Sequence, residues 1–304
     1  MITQQDDTPR TFGPRVLVGV CTYNEAENIT PLLSRIVAAV PSADVLVVDD
    51  DSPDGTAGLA RQFASQHAAG DPAICSGTIR VLVREGQRGL GGAIRTAMRC
   101  AVEGGYDLFC NLDADLSHDP ADLPRLIDEA TGDRAPAAGS VTNPTPCTVN
   151  GAVSPGRDID PAAGRTGVSS PEQSSPRVDV VIGSRYVRGG KIVGWPAHRR
   201  WMSGCLNRFT RRLLRLPVRD ASGSFRCYHV ETLADLPSRG TSSNGYAFLQ
   251  EVLLDLHRAG AKCVEVPITF TDREAGQSKL GWREATRSAT TVVRLLKRRS
   301  VRSA

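Results

Sequence analysis

From Arg15 onward, short aliphatic and β-branched runs alternate with stretches of helical periodicity, and this alternation constrains the fold more than any other feature. "RVLVGVC" precedes a helix from near Asn24 that carries Ile29, Leu32, Leu33, Ile36 and Val37, and "DVLVVDD" precedes a helix after Gly55. "TIRVLVRE" leads through a glycine-rich turn to a helix from about Gly92, and "DLFCNLDAD" precedes a helix from Pro120. Continuously apolar strands, each followed by a helix, suit a parallel sheet covered on both faces. Ligands of such sheets sit outside the carboxyl ends of the strands. Acidic residues gather there: Asp49, Asp50 and Asp51 after the second strand, Asp113 and Asp115 after the fourth.

The chain has 304 residues, 40% of them hydrophobic, enough for a substantial core in one large domain or two small ones. A formal charge of +4 is too mild to argue for a nucleic-acid partner, and none is expected. Eight cysteines without a C-x-x-C pair, several inside apolar runs, fit buried thiols in a reducing, cytosolic compartment. The start, "MITQQDDTPRTFGP", lacks the basic and apolar pattern of a signal peptide. No uninterrupted apolar run approaches the roughly 18 residues a membrane span requires, so membrane contact is expected to be peripheral or through a partner.

Between Gly132 and Arg177 the composition shifts to Pro, Gly, Ser and Ala with almost no large apolar residue, which predicts a disordered insertion within one domain. The pattern resumes at "VDVVIGSRY". "WPAHRRWMSGCLNRFTRRLLRLPVRD" reads as a basic helix, "GSFRCYHV" as a strand, "YAFLQEVLLDLHRAG" as a helix and "KCVEVPITFTDRE" as a strand. A last amphipathic segment ends in "KRRSVRSA". His198, Arg199, Arg200, Arg208, Arg211 and Arg212 share the basic helix with Trp201, Met202, Leu206 and Phe209. That combination reads either as a solvated face packed on a core or as a surface for anionic head groups and acyl chains.

On an extended backbone Asp113 and Asp115 leave the same face. Together with "DDDSPDGT" at the end of another strand, they form a set of carboxylates that would repel one another without a cation between them, and hard oxygen ligands favour Mg²⁺ or Mn²⁺. Such an ion commonly completes its shell with substrate phosphates, so a diphosphate ligand is expected. Gly89, Gly91 and Gly92 follow the third strand rather than the first and so fit a turn and close helix packing better than a dinucleotide fingerprint. Cys110 reads as core and His118 as a helix-start residue; no spacing supports a zinc site.

"CTYNEAEN", "VVDDDSPDGT" and "DADLSHDP", in that order, resemble the inverting, nucleotide-sugar-dependent glycosyltransferases of family 2 with the GT-A fold. "GSRYVRGGKIVGWPAHRRWMSGCLNRFTRRLL", "DASGSFRCYHVETL", "NGYAFLQEVL" and "VEVPITFTDREAGQSKLG" extend the likeness to the dolichol-phosphate or polyprenol-phosphate mannose synthase subfamily, over roughly Val16 to Gly281 apart from the insertion. The resemblance implies an α/β domain with a Rossmann-like, mostly parallel sheet, helices on both faces and amphipathic acceptor-side helices towards the C-terminus. It divides the chain into a disordered tail (1–14), a nucleotide-sugar-binding half (15–131), the insertion (132–177), an acceptor-binding half (178–282) and a basic amphipathic segment (283–304).

Carried over position by position, the resemblance assigns Cys21, Tyr23 and Glu25 to the nucleotide and Val48 and Asp50 to the base and ribose. It assigns Asp113, Ala114 and Asp115 to ribose, diphosphate and metal, with Ser117 as a weaker metal ligand where some relatives have Gln. A Cys21 in place of the usual Pro is a departure at the first turn. Arg185 would face the donor or acceptor phosphate; Arg199, Ser222 and Arg226 would contact the acceptor phosphate; Arg273 and Lys279 would close over the diphosphate. The implied reaction moves mannose from GDP-mannose to a dolichyl or polyprenyl phosphate with inversion. The implied place is the cytoplasmic face of a membrane, reached alone or through a small membrane subunit. A UDP-glucose-dependent relative, a non-catalytic nucleotide-sugar-binding subunit and a metal phosphohydrolase are the rival readings.

Overall fold

The computed structural model describes residues 13–70, 76–132, 177–236, 243, 245 and 247–272. The expected N-terminal tail, the insertion, the C-terminal basic segment, and Arg273 and Lys279 lie outside the described residues, wholly or nearly so.

The first half follows the alternation read from the sequence. Strands β1 (Val16–Thr22), β2 (Asp44–Asp49), β3 (Ile79–Val83) and β4 (Leu108–Asp113) are followed by helices α1 (Ala26–Ala39), α2 (Thr56–Ala68), α3 (Leu90–Glu103) and, after a short 3₁₀ turn (Pro120–Asp122), α4 (Leu123–Thr131). The second half adds β5 (Val180–Ser184), β6 (Lys191–Val193), α5 (Ala197–Leu214), β7 (Arg226–His229), α6 (Glu231–Ala234), α7 (Ala247–Arg258), β8 (Cys263–Pro267) and β9 (Thr269–Thr271).

Seven strands form one sheet in the order β3-β2-β1-β4-β7-β5-β8. All its pairings are parallel except those of β7, which runs antiparallel between β4 and β5. Strands buried on both faces must be apolar throughout, which is why β1 and β4 carry no exposed position and only Cys21 and Asp113, near their ends, are half-buried. Successive side chains alternate between two cores. Val18 and Val20 meet Ile29, Leu32, Leu33 and Ile36 of α1 and Leu123 and Leu126 of α4. Leu17, Leu46 and Val48 meet Ile94 and Met98 of α3 and Phe248, Val252 and Leu253 of α7. Each of these wholly buried aliphatic side chains contributes about 2 kcal/mol relative to exposure, so the two helical layers hold the strand ends rigidly in register.

One expected strand is divided. "KCVEVPITFT" breaks after Pro267, which has no N–H for a ladder, and Ile268 instead donates to the Ser184 carbonyl while the chain crosses to a separate two-stranded sheet of β6 and β9.

Candidate active site at the carboxyl edge of the sheet

The strand order reverses around β1, with β2 and β3 on one side and β4 on the other, and open sheets of this kind take their ligands in a crevice beyond the carboxyl ends of the strands at such a point. Cys21 lies level with Val48 of β2 and with Asp113 of β4. Burial, then the nearby Asp50 and Asp113 carboxylates, push the Cys21 thiol far above its ordinary range, so it stays neutral.

The loop after β2 spends its carboxylates individually. Asp49, wholly buried, accepts from the Thr22 hydroxyl at 2.7 Å and from the Ser52 backbone and hydroxyl. Asp54 accepts from Ala26 N and from Thr56, tying this loop to the start of α1. Asp50 is 4% exposed, pairs with Arg84 at 3.3 Å and accepts from Gly89 N at 2.7 Å. Burial raises its pKa while the Gly89 N–H and Arg84 oppose that rise. The expected mutual repulsion of this cluster is therefore resolved by hydrogen bonds and one ion pair. Two glycines make the arrangement feasible. Gly89 holds φ at 131° where α3 begins, and a Cβ on Gly92 would lie 2.7 Å from the Arg84 guanidinium.

Asp113 ends β4 with a side chain 23% exposed, whereas Asp115 is 4% exposed. The strand ends at Asp113 and the chain bends over residues 114–116; Leu116 then takes the left-handed conformation at φ 59°, and the Asp115 carboxylate caps the turn by accepting from Ser117 N and its hydroxyl. The same-face argument from strand alternation therefore does not apply to this pair, and the Ser117 hydroxyl orients Asp115. His118, expected at a helix start, stands just before the Asp119 cap of the 3₁₀ turn and is buried at 1% exposure between Phe225 and Phe270, with Nδ1 3.8 Å from an Asp113 oxygen. Burial lowers its pKa, against the pull of Asp113 and Asp115. Among the described residues no three His, Cys, Asp or Glu side chains are grouped to hold a metal ion. Carboxylates are hard oxygen donors, so Asp113 and Asp115 fit the chemistry of a Mg²⁺ or Mn²⁺ ion, which would need further ligands from outside the chain.

Arg185, just past β5, binds Asp220 through Nε at 2.7 Å and Nη2 at 2.9 Å, and Nη2 also donates to the Ser222 hydroxyl at 2.9 Å. Arg199, on α5, stacks 4.1 Å over Trp195 and donates to both oxygens of Asp272, which also accepts from Trp195 Nε1. The outer face of α5 exposes Trp201 at 73%, Phe209 at 50% and Met202 at 36%, beside exposed Arg200, Arg208 and Arg212. A groove there is lined by Cys205, Arg208, Phe209, Arg212 and Leu213.

Residues 17–152 match Glycosyl transferase family 2. An undecaprenyl-phosphate mannosyltransferase of Micrococcus luteus is 36% identical over 266 residues, 88% of this chain and 87% of that protein. The chain belongs to glycosyltransferase family 2. A polyprenol monophosphomannose synthase of Mycolicibacterium smegmatis is 33% identical over 276 residues, 90% of this chain and 84% of that one. Among solved structures, glucosyl-3-phosphoglycerate synthase of Mycobacterium tuberculosis, in complex with Mn²⁺ and UDP, shares the fold with TM-score 0.52 at 16% identity, over 92% of this chain and 79% of that chain. A mannosyltransferase of Pyrobaculum calidifontis, in complex with GDP-mannose and Mn²⁺, superposes with TM-score 0.52 at 17% identity, over 95% and 65% of the two chains. The family 2 chain is thus a glycosyltransferase with an α/β, GT-A-like domain, and no helix among its described residues is long and apolar enough to cross a membrane.

Of the residues expected at a family 2 site, Tyr23, Glu25, Asp113, Arg185, Arg199 and Ser222 retain partial exposure. Tyr23 lies under the Arg88 guanidinium at 4.7 Å, and Glu25 accepts from Asn28. Val48 and Ala114 are buried, so their side chains belong to the core. Arg226 corrects the expectation for it. It is wholly buried on β7 and donates to the Leu249 and Ala221 carbonyls and to Tyr228, because strand alternation turns it, with Tyr228, towards α7 rather than towards the crevice. Sequence reasoning missed Asp220, whose only signal was its place in "RDASGSFR".

Proposed function

We propose that this chain transfers mannose from GDP-mannose to a polyprenyl phosphate with inversion, giving a β-linked lipid-phosphate mannose and GDP. The observation that carries the reading is the pairing of Asp113 with Cys21 at the reversal of strand order, which sets a carboxylate at the carboxyl edge of the sheet, the edge at which Arg185 follows β5 and bonds Ser222. The names of the two relatives, which match along most of the chain, support the lipid-phosphate acceptor and the mannose.

Asp113 and Asp115 would hold a Mg²⁺ or Mn²⁺ ion, which when bound neutralises charge on the donor's phosphates. The Ser117 hydroxyl and backbone N–H keep Asp115 in place for this. Tyr23 and Glu25, with the backbone at Cys21, Val48 and Asp50, would border the nucleoside. Arg273 and Lys279 would meet the diphosphate. The acceptor oxygen belongs to a phosphate already ionised at neutral pH, so no protein side chain need remove a proton. Positioning and electrostatic stabilisation of the leaving GDP would carry the rate. The basic and aromatic outer face of α5 would rest on the cytoplasmic membrane surface that contains the acceptor, with or without a small membrane subunit.

The test is formation of mannosyl lipid and GDP by the purified chain with GDP-mannose, polyprenyl phosphate in vesicles and Mn²⁺. Activity unchanged by a chelator or by Asp115→Ala would refute the reading, and equal turnover of UDP-glucose would refute the donor assignment.

A further inference from the structure

We propose that Asp220 is a positioning residue that holds Arg185 and Ser222 as one preset pair for the acceptor phosphate. This rests on the reading of Arg185 and Ser222 as phosphate contacts given above. The Asp220 carboxylate is wholly buried. Its Oδ2 takes Arg185 Nε at 2.7 Å and Arg185 N at 3.2 Å, and its Oδ1 takes Arg185 Nη2 at 2.9 Å, Gly223 N at 3.0 Å and Ser222 N at 3.3 Å. One carboxylate therefore fixes both the guanidinium and the backbone that carries Ser222.

The loop bearing Asp220 is itself anchored from two other elements. Asn207 of α5 accepts from Ala221 N at 3.0 Å and donates to the Arg219 carbonyl. Glu265 of β8 accepts from Arg219 N at 2.7 Å and Asp220 N at 2.8 Å. The guanidinium is flanked by the rings of Phe270 at 5.2 Å and Tyr186 at 5.4 Å. The bonds to Asp220 and Ser222 use Nε and Nη2, and Nη1 takes part in none of them. An arginine fork locked along one edge and bonded to a serine hydroxyl offers an anion a prearranged set of donors, so less ordering entropy is lost on binding.

The test uses the full-length chain and its Asp220→Asn, Arg185→Lys and doubly substituted forms. Farnesyl phosphate, without donor, is titrated calorimetrically, and the KM for polyprenyl phosphate is measured beside that for GDP-mannose. Asp220→Asn is expected to weaken farnesyl phosphate binding on the order of tenfold, the loss usual when a group that orients a ligand-contacting residue is removed. The KM for GDP-mannose should stay unchanged. The double substitution should lose less than the sum of the two single losses, because both act in part through the same guanidinium. Tyr106→Phe, which removes a bond to Asp44 at the opposite end of the sheet, should lower the melting temperature without altering probe binding.

A folded Asp220→Asn chain that binds the probe as the unaltered chain does, or additive losses in the double substitution, would overturn the proposal. If Asp220→Asn does not fold, Arg185→Lys decides: lysine keeps the charge and loses the fork, and undiminished probe binding would overturn the proposal. Probe binding that depends on Asp220 in a chain without mannose transfer would sustain the positioning role while refuting the proposed reaction. No probe binding by the unaltered chain would overturn the positioning role.

Discussion

Arg185 and Asp220 form a two-pronged, buried ion pair, Nε to Oδ2 at 2.7 Å and Nη2 to Oδ1 at 2.9 Å, with side chains 8% and 0% exposed. Taking both charges out of water is unfavourable, and the additional backbone donors at Ser222 and Gly223 offset that by satisfying the remaining carboxylate lone pairs. Arg185 and these bonds hold Asp220 at a pKa of about 2 despite its burial, against an ordinary value of 3.8.

A depressed carboxylate pKa has a definite pH signature. The stabilisation is complete above the unfolded-state value near 4 and disappears as pH falls through the folded value near 2. The pair should contribute about 2 kcal/mol between pH 7 and pH 2. Urea unfolding at pH 7, 4 and 3 checks this: stability should fall more steeply with acid in the unaltered chain than in Asp220→Asn. Parallel acid limbs would rule the coupling out.

Asp113 and Asp115 have different surroundings, and the turn that holds Asp115 can be tested apart from its carboxylate. Asp113→Ala and Asp115→Ala should each lower kcat by roughly a hundredfold or more, the scale on which a preorganised electrostatic group acts. Ser117→Ala frees Asp115 from its turn and should cost about tenfold, the effect of losing a group that orients a ligand. Turnover assays across Mn²⁺ concentrations separate the two, because Ser117→Ala should recover with added metal and Asp115→Ala should not.

The face of α5 gives a prediction independent of turnover. Arg208→Ala combined with Arg212→Ala should weaken binding to anionic vesicles by about 2 kcal/mol, near 1 kcal/mol per basic residue at such a surface. Trp201→Ala and Phe209→Ala should weaken it further, and raised salt should affect the arginines more than the aromatics. Co-sedimentation with phosphatidylglycerol vesicles measures this, with melting temperature as the check that exposed substitutions leave the fold intact.

Gly92→Ala adds a methyl group where a Cβ meets the Arg84 guanidinium at 2.7 Å. The Arg84 guanidinium must then shift, which loosens its ion pair with Asp50 at small steric cost because it is the end of a flexible side chain. The expected result is a lower melting temperature together with weaker GDP binding, since Asp50 holds the Gly89 turn beside the crevice. Unchanged GDP binding in a destabilised chain would separate the turn from the donor site.

Much of the site was legible because it lies on local patterns. The acids after β2 and β4 and the glycines before α3 each sit at the end of an apolar run, and a run's periodicity depends only on neighbouring residues. The basic and aromatic face of α5 was readable for the same reason. What was misjudged involves residues whose partners are distant in the chain. Arg226 reads as an acceptor-phosphate contact until β7 is inserted, antiparallel, between β4 and β5, where its alternation turns it into the core. His118 does stand at a helix start, but its enclosure by Phe225 and Phe270, both far along the chain, has no local signal.

The sequence by itself determined the βα alternation, the edge of the sheet on which the acids stand and the family to which the chain belongs. These follow from side-chain periodicity and short motifs that any stretch carries within itself. Only the tertiary structure decided which charges are paired: Asp50 with Arg84, Asp220 with Arg185, Asp272 with Arg199. A buried charge must find its partner wherever the strand order and crossovers deliver one, and no local pattern in the chain encodes that position.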